Sequence, residues 1–365
     1  MRYRGMLDSF EPYGWEPSTE QIAYGLGIKP ERIIRLDLNT SPISPTTSLR
    51  AVSKRLSKIK INLYPDTSYS SLRQEISEYT GHDPEAIIPT NGADEAIDIL
   101  SRIFLEKDLE AVASVPTYSY FRIASELQGA KYVGVPRLDG FRDDIDGILS
   151  RVGSNTGIIF ICSPNNPTGN LTSLEDIERL CSGTEACVVV DEAYYEYCGV
   201  SAQPLLQKYS NLVVIRTLSK AFGLAGARIG YILACEETVK LLNKARPPNS
   251  LGIINIELAR HAVRHRNYMH RAVESIVAER ERIHRILSRI RYLEVYPSQA
   301  NFLLIRLREF DAGQVYSELL RRGIVVRNFS QNPYIKNSLR VTVGTKGQNN
   351  RFLAALRSIL DSLRR

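Results

Sequence analysis

Short apolar runs alternate with amphipathic stretches through the middle of the chain. Strand-like runs rich in β-branched and aliphatic residues fall at 86–89, 111–115, 132–135, 157–162, 187–191, 212–217 and 228–234. Between several of them, as at 93–104 and 173–181, apolar residues recur at helical spacing. That alternation predicts an α/β fold, a large domain whose seven strands form a mostly parallel sheet covered by helices. Ile158-Ile159-Phe160-Ile161 and Val188-Val189-Val190 are apolar at every position, as strands buried on both faces must be.

Past Pro247-Pro248 the pattern changes. Residues 252–290 contain no proline and carry the periodicity of one long helix or two. Strand-like runs at 302–307, 324–327 and 339–343 follow, with helical stretches at 312–322 and 348–363, predicting a second, smaller α+β domain. At the other end, Pro12, Pro17, Pro30, Pro42 and Pro45 exclude a long helix over residues 1–45, which read as an arm. The division expected is therefore an arm and part of the small domain over 1–35, a large domain over 36–248, and a small C-terminal domain over 249–365.

At 365 residues the chain suits such a pair of domains. No stretch approaches the ~20 consecutive apolar residues of a membrane span. Met1 to Phe10 lack the apolar segment of a secretory signal, so a cytoplasmic location is expected. The five cysteines show no CxxC or Cys/His ligand spacing and read as reduced thiols, with no metal site. The net charge of +7 raises the possibility of a nucleic-acid partner. However, the densest basic run, Arg260 to Arg291, is interleaved with Glu274, Glu279 and Glu281 at helical spacings, as on a solvated helix face. No nucleic acid is expected. The surplus charge equally suits anionic small substrates.

Polar residues gather where the buried runs end, the place where open α/β sheets bind ligands. The clusters are Asn91-Gly92-Ala93-Asp94-Glu95, Ser163-Pro164-Asn165-Asn166-Pro167-Thr168-Gly169, Asp191-Glu192-Ala193-Tyr194, and Thr217-Leu218-Ser219-Lys220 continuing to Arg228. Singly, each has a plain explanation as turn, cap or surface residue. Val188-Val189-Val190-Asp191-Glu192 also resembles the acidic strand end of a nucleotide hydrolase, but no GxxxxGK[ST] phosphate loop accompanies it. Together they match the needs of pyridoxal phosphate: a lysine amine for its aldehyde, an acid at its ring nitrogen, donors at its phenolic oxygen and an anion site for its phosphate. Lys220 and Asp191 serve the first two, and Tyr194 and Asn166 can donate to the phenolic oxygen. Thr217, Ser219 and Arg228, with a helix N-terminus at Gly92-Ala93-Asp94, can hold the phosphate.

The motifs Asn165-Asn166-Pro167-Thr168-Gly169, Asp191-Glu192-Ala193-Tyr194 and Thr217-Leu218-Ser219-Lys220-Ala221-Phe222-Gly223 resemble those of fold-type I aminotransferases, and their order and spacing resemble the histidinol-phosphate aminotransferase family. Further likenesses are Phe10-Glu11-Pro12-Tyr13, Leu63-Tyr64-Pro65-Asp66, Pro116-Thr117-Tyr118, Ala300-Asn301-Phe302 and Leu339-Arg340-Val341-Thr342, so the resemblance spans nearly the whole chain. It implies a homodimer with pyridoxal 5′-phosphate as cofactor, exchanging an amino group between histidinol phosphate and 2-oxoglutarate in histidine biosynthesis. It implies also that Lys220, Asp191 and Tyr194 are catalytic and that Tyr118 stacks on the cofactor ring. Tyr64 would reach the phosphate bound in the partner subunit. Arg340 would clamp a carboxylate, and Arg327, with Tyr13, a distal phosphate. Burial and the neighbouring Arg228 are expected to lower the pKa of Lys220. The chain departs from the family pattern at Thr40, Leu63 and Asn249, of which Thr40 and Asn249 are expected near the substrate. The rival readings are an aminotransferase for aromatic or other amino acids and a threonine-phosphate decarboxylase.

Overall fold

The computed structural model describes every residue except Ser9, Trp15 and Arg365. The central sheet has seven strands: β2 (Ile87–Thr90), β3 (Glu110–Val115), β4 (Lys131–Pro136), β5 (Thr156–Cys162), β6 (Cys187–Asp191), β7 (Leu212–Thr217) and β8 (Gly230–Leu233), in the order β2-β8-β7-β6-β5-β3-β4. From β4 across to β7 all neighbours are parallel, and β8 runs antiparallel to both β7 and β2. The parallel run puts Cys162 level with Asp191, and Asp191 level with Ile215, at the carboxyl ends of the central strands.

Successive residues along the strands feed opposite cores, as the two-residue period of a strand requires. Ile159, Ile161, Val188, Val190 and Val214 pack on one face with Ile177 and Leu180 of the helix Leu174–Ser182. Ile158, Phe160, Val189, Val213 and Ile215 pack on the other with Ile97 and Leu100 of the helix Gly92–Phe104. The uninterrupted apolar runs are therefore explained by cover on both faces.

The second sheet orders β1 (Ile34–Leu36), β11 (Ile324–Asn328), β12 (Ser338–Thr342), β10 (Phe302–Leu307) and β9 (Leu293–Val295). Only β1 and β11 pair parallel, so a strand from near the start of the chain completes a sheet built from its end. Strands β1 and β9 are three residues long, too short for periodicity to reveal. The proline-free stretch 252–290 resolves into two helices, Ile253–Arg264 and Asn267–Leu287. Within the arm, an eight-residue helix, Thr19–Leu26, fits between Pro17 and Pro30. Ser18 and Gln21 cap it reciprocally, and Gly27 ends it in the left-handed region. One apolar core is continuous from the central sheet through Met269, Ile276 and Ile283 to Phe302 and Val341 of the second sheet. Among the described residues no helix is long and apolar enough to cross a membrane.

Gly230 shows how tightly the sheet is fitted to the helix that starts at Gly92. It pairs with Thr90 on one side and Thr217 on the other. A Cβ there would lie 2.6 Å from the Gly92 carbonyl carbon and 2.9 Å from the Ala93 nitrogen, all backbone atoms with nowhere to turn. Gly230→Ala is therefore expected to destabilise the protein by about 1–3 kcal/mol, as overpacking does. Denaturant unfolding measures it, and a loss below 0.5 kcal/mol would show that the helix start moves aside freely.

Candidate active site

A cavity of about 160 Å³ opens where the carboxyl ends of β5, β6 and β7 meet the second sheet. Its walls include Ala93, Asp94, Tyr118, Asn166, Asp191, Tyr194, Thr217, Ser219, Lys220 and Arg228 from the larger sheet and its connections. Arg327 and Arg340 come from β11 and β12, and Tyr13 from the arm. Of the cofactor and substrate residues expected from sequence, all line this cavity except Gly92, which lies at the helix start beside it, and Tyr64, which is 85% exposed.

Asp191 is the last residue of β6 and is buried. Its Oδ1 accepts a hydrogen bond from the Ala193 backbone N–H at 3.0 Å. Burial outweighs that bond and pushes the carboxyl up to about 7, with the nearby Asp94 adding and Lys220 opposing. Lys220 follows β7 on a tight loop, and its Nζ donates to the Leu38 carbonyl at 3.2 Å. Burial pushes its amine down to about 8; Arg340 and then Arg228 reinforce the effect, against Asp94 and Asp191. Arg340, from the other sheet, thus outranks the expected neighbour Arg228.

At the helix start, polar donors converge. Arg228 occupies the left-handed region, with φ of 51°. From there its Nη1 donates to Ser219 Oγ at 3.3 Å and its Nη2 to Asp94 Oδ2 at 3.0 Å. A Cβ on Gly92 would stand 2.5 Å from Arg228 Nη2, so the glycine makes room for the guanidinium over the first helical turn. Thr217 Oγ1 donates to Ser219 Oγ at 3.0 Å and accepts from the Ser219 N–H at 3.1 Å. The Asp94 carboxylate joins this group by its side chain, where sequence had pointed to the helix N-terminus alone. It also accepts from Tyr118 Oη at 2.9 Å, and Tyr118 is held edge-on against Phe121 at 5.8 Å.

The opposite wall is cationic. Arg340 Nη1 donates to Asn166 Oδ1 and Nη2 to the Asp37 carbonyl. Its Nε is buried without a partner, and burial pushes the guanidinium down to about 10. Phe302 and Phe329 flank it at 5.4 and 5.8 Å from their ring centres. Arg327, its cross-strand neighbour, is ion-paired with Glu16. Tyr194 Oη accepts from Asn39 Nδ2 at 2.9 Å.

Sequence missed Glu16, Asp37, Leu38, Asn39, Cys162 and Ala193, all of which line the cavity. Leu38 acts through its carbonyl, which leaves no side-chain signal. Asn39 adopts a φ of 53°, and its side chain also accepts from Thr342 Oγ1 at 3.0 Å. Its neighbour Thr40, expected near the substrate, does not line the cavity, and neither does the exposed Asn249.

Comparison with known proteins agrees with this geometry. Residues 31–356 match the family model described as aminotransferase class I and II. The chain is 35% identical to a histidinol-phosphate aminotransferase of Methanocaldococcus jannaschii, over 99% of this chain and 98% of that one. It is 40% identical to one of Thermococcus gammatolerans, over 89% and 92%. The crystal structure of histidinol-phosphate aminotransferase from Sinorhizobium meliloti in complex with pyridoxal 5′-phosphate superposes with a TM-score of 0.89 at 26% identity, covering 99% of this chain and 98% of that one. A cavity at the strand ends carrying Lys220, Asp191 and Arg228, in a chain matched along nearly its whole length, makes this protein a member of the histidinol-phosphate aminotransferase family within the class I and II aminotransferases.

Proposed function

We propose that the protein is a pyridoxal-phosphate-dependent transaminase that exchanges an amino group between histidinol phosphate and 2-oxoglutarate. The observation that carries the substrate is a pair of arginines, Arg327 and Arg340, in the same cavity as Lys220 and Asp191. A donor with a phosphate and an acceptor with two carboxylates both have use for two fixed guanidinium groups. In this reading residues 36–248 are the cofactor-binding domain, and 1–35 with 249–365 supply the arm and the smaller domain that carries the arginines. The location is cytoplasmic.

The residues fit pyridoxal 5′-phosphate. Gly92 leaves space under Arg228, and the Thr217 and Ser219 hydroxyls stand beside it, a donor set suited to a phosphate. Asp191 would face the ring nitrogen, Tyr194 and Asn166 the phenolic oxygen, and Tyr118 the ring face. The backbone at Ala93 and Asp94 would join Arg228 at the phosphate. When bound, the cofactor supplies an aldehyde for amines and a protonated ring that withdraws electrons from the substrate Cα. Asp191 keeps that ring nitrogen protonated. Burial weakens the hold of Lys220 on its own proton, so its Nζ can take the proton from the substrate Cα. Arg340 holds the carboxylate of the amino-acid substrate, and Arg327, with Tyr13, the phosphate of the amino alcohol. One site serving two half-reactions implies ping-pong kinetics.

A second copy of the chain belongs to this proposal. Leu56, Ile61, Leu63 and Tyr64 form a sequence-local apolar surface that is 47–85% exposed in the protomer. Such a surface supports a dimer in which Tyr64 reaches the partner's phosphate site.

Three measurements test these assignments. Without cofactor, wild-type Asp191 must ionise in a buried site as pH rises. Its folded pKa lies above the unfolded value, so it lowers stability progressively from about pH 4 to about pH 7, then by a constant amount. Cofactor-free Asp191→Asn should therefore gain stability over wild type across that window, reaching on the order of 3–4 kcal/mol above pH 7, while its holoenzyme turns over far more slowly. A pH-independent stability difference would mean that Asp191 is not held near neutrality.

For the dimer, Lys220→Ala and Tyr64→Phe subunits are mixed. Each heterodimer should then own one site with both native groups, and activity should partly recover. No recovery, or a monomer in sedimentation, removes Tyr64 from the site.

For the substrate, Arg327→Ala should lower kcat/KM about tenfold to a hundredfold for histidinol phosphate, the effect of one charge-assisted contact, and far less for tyrosine or phenylalanine. Arg340→Ala should instead damage the glutamate half-reaction. Equal losses on phosphorylated and unphosphorylated amines in Arg327→Ala would favour an aromatic aminotransferase.

A further inference from the structure

Three consecutive residues beyond β1 each meet a different functional side chain of the cavity. The Asp37 carbonyl accepts from Arg340 Nη2, the Leu38 carbonyl accepts from Lys220 Nζ at 3.2 Å, and Asn39 Nδ2 donates to Tyr194 Oη at 2.9 Å. Asn39 is 1% exposed and stands in the left-handed region, with φ of 53°. Asparagine tolerates that conformation better than most residues with a side chain. The reversal sends its N–H to Thr342 of β12, its carbonyl to the Asn301 side chain just ahead of β10, and its own side chain to Tyr194.

The hydrogen bonds decide which end of the Asn39 amide faces which neighbour. Thr342 Oγ1 accepts from the Asn39 backbone N–H at 3.0 Å. Its single hydrogen goes to the Asn39 side chain, also at 3.0 Å, so the atom received there is Oδ1. The other end of the amide, Nδ2, is left for Tyr194, and an amide nitrogen can only donate.

Tyr194 receives this donor on its oxygen. Burial pushes its hydroxyl well above the ordinary tyrosine range, against the smaller effects of Arg340 and of the Asn39 bond, so it keeps its one hydrogen. That hydrogen cannot point at Asn39, where an N–H already lies between the two groups. Phe302 closes one side of the ring, edge-on with centroids 5.2 Å apart. Lys220 Nζ lies 5.8 Å from the ring centre, in the cavity that both residues line. The hydrogen is thereby directed away from β12 and toward that cavity.

We infer that Asn39 is a positioning residue that aims the Tyr194 proton at the phenolic oxygen of the cofactor. The inference rests on the proposed function in one respect, that Tyr194 meets that oxygen. Without the Asn39 amide, the Tyr194 hydroxyl is free to turn into the space the side chain leaves, and it donates to the cofactor for only part of the time. Thr342 holds the amide from β12, so the smaller sheet sets the direction of a proton at the end of the larger one. The partners that do this are 303 positions apart in sequence. A neutral amide achieves it without adding charge beside Lys220 and Asp191.

The test uses the holoenzyme and needs no substrate. A donor on the phenolic oxygen draws on its charge and weakens its hold on the proton it shares with the Lys220 nitrogen. Loss of a donor therefore raises the pH midpoint of the near-visible absorption band. Tyr194→Phe gives the full effect of that loss. Asn39→Gly removes the amide while suiting the left-handed backbone. It should raise the midpoint by roughly 0.3–1 pH unit, the effect of one weakened hydrogen bond. In the Tyr194→Phe background Asn39→Gly should move it no further. Thr342→Val, which frees the amide to turn over, should shift the midpoint in the same direction and stands in where Asn39→Gly does not fold. A residue that only supports the fold would lower Tm and leave the midpoint in place. An unmoved midpoint in Asn39→Gly, or in Thr342→Val where it stands in, overturns the inference, as does a shift that persists in the Tyr194→Phe background. Either result beside a raised midpoint in Tyr194→Phe alone leaves the proposed function standing. A midpoint indifferent to Tyr194→Phe defeats instead the placement of Tyr194 at the phenolic oxygen.

Discussion

Burial acts in opposite senses on two groups at the carboxyl ends of β6 and β7. The carboxyl of Asp191 is raised to about 7 and the amine of Lys220 lowered to about 8, so each is brought close to giving or taking a proton near neutral pH. Both shifts come mainly from loss of water, and water is lost because β6 and β7 are covered on both faces by apolar layers. The same parallel register puts the ends of those strands side by side. Without the doubly covered sheet, neither group would be displaced from its ordinary protonation.

The helix at Gly92 depends on that sheet too. Gly230 lets its first turn lie against β8, and Gly92 lets Arg228 lie across it. Two absent side chains thereby bring the start of the helix, two hydroxyls and a guanidinium together. Asp94 complicates the arrangement, since its carboxylate pairs with Arg228 at 3.0 Å. In the proposed function a phosphate would share Arg228 with it, and Tyr118, bonded to the same carboxylate, would link the ring face to the anion site.

The smaller sheet contributes charge where the larger one contributes proton chemistry. Arg340 sits between two aromatic rings, bound to neutral oxygens, and helps lower the Lys220 amine. A group that holds a substrate carboxylate in the proposed mechanism therefore also tunes the base. In that mechanism a carboxylate neutralising Arg340 would relieve its effect on Lys220 and so raise the basicity of the lysine.

The strands of the large sheet were legible in sequence because continuous apolar runs record burial on two faces within a few residues. The clusters containing Asn166, Asp191 and Lys220 were legible because strand ends are where such sheets bind ligands, and their residue types suit one cofactor. That β1 joins the second sheet was not legible: three residues carry too short a pattern, and the pairing spans most of the chain. Nor was the carbonyl of Leu38 on Lys220, a contact across 182 positions made by an atom that every residue possesses. Tertiary structure alone decided that Arg340 outranks Arg228 at the lysine and that Arg327 faces Arg340 across two strands. Local sequence determines which groups are available and where strands end, because those follow from periodicity and residue type. Which charges meet is set by the packing of distant segments, and electrostatics depends on that distance rather than on position along the chain.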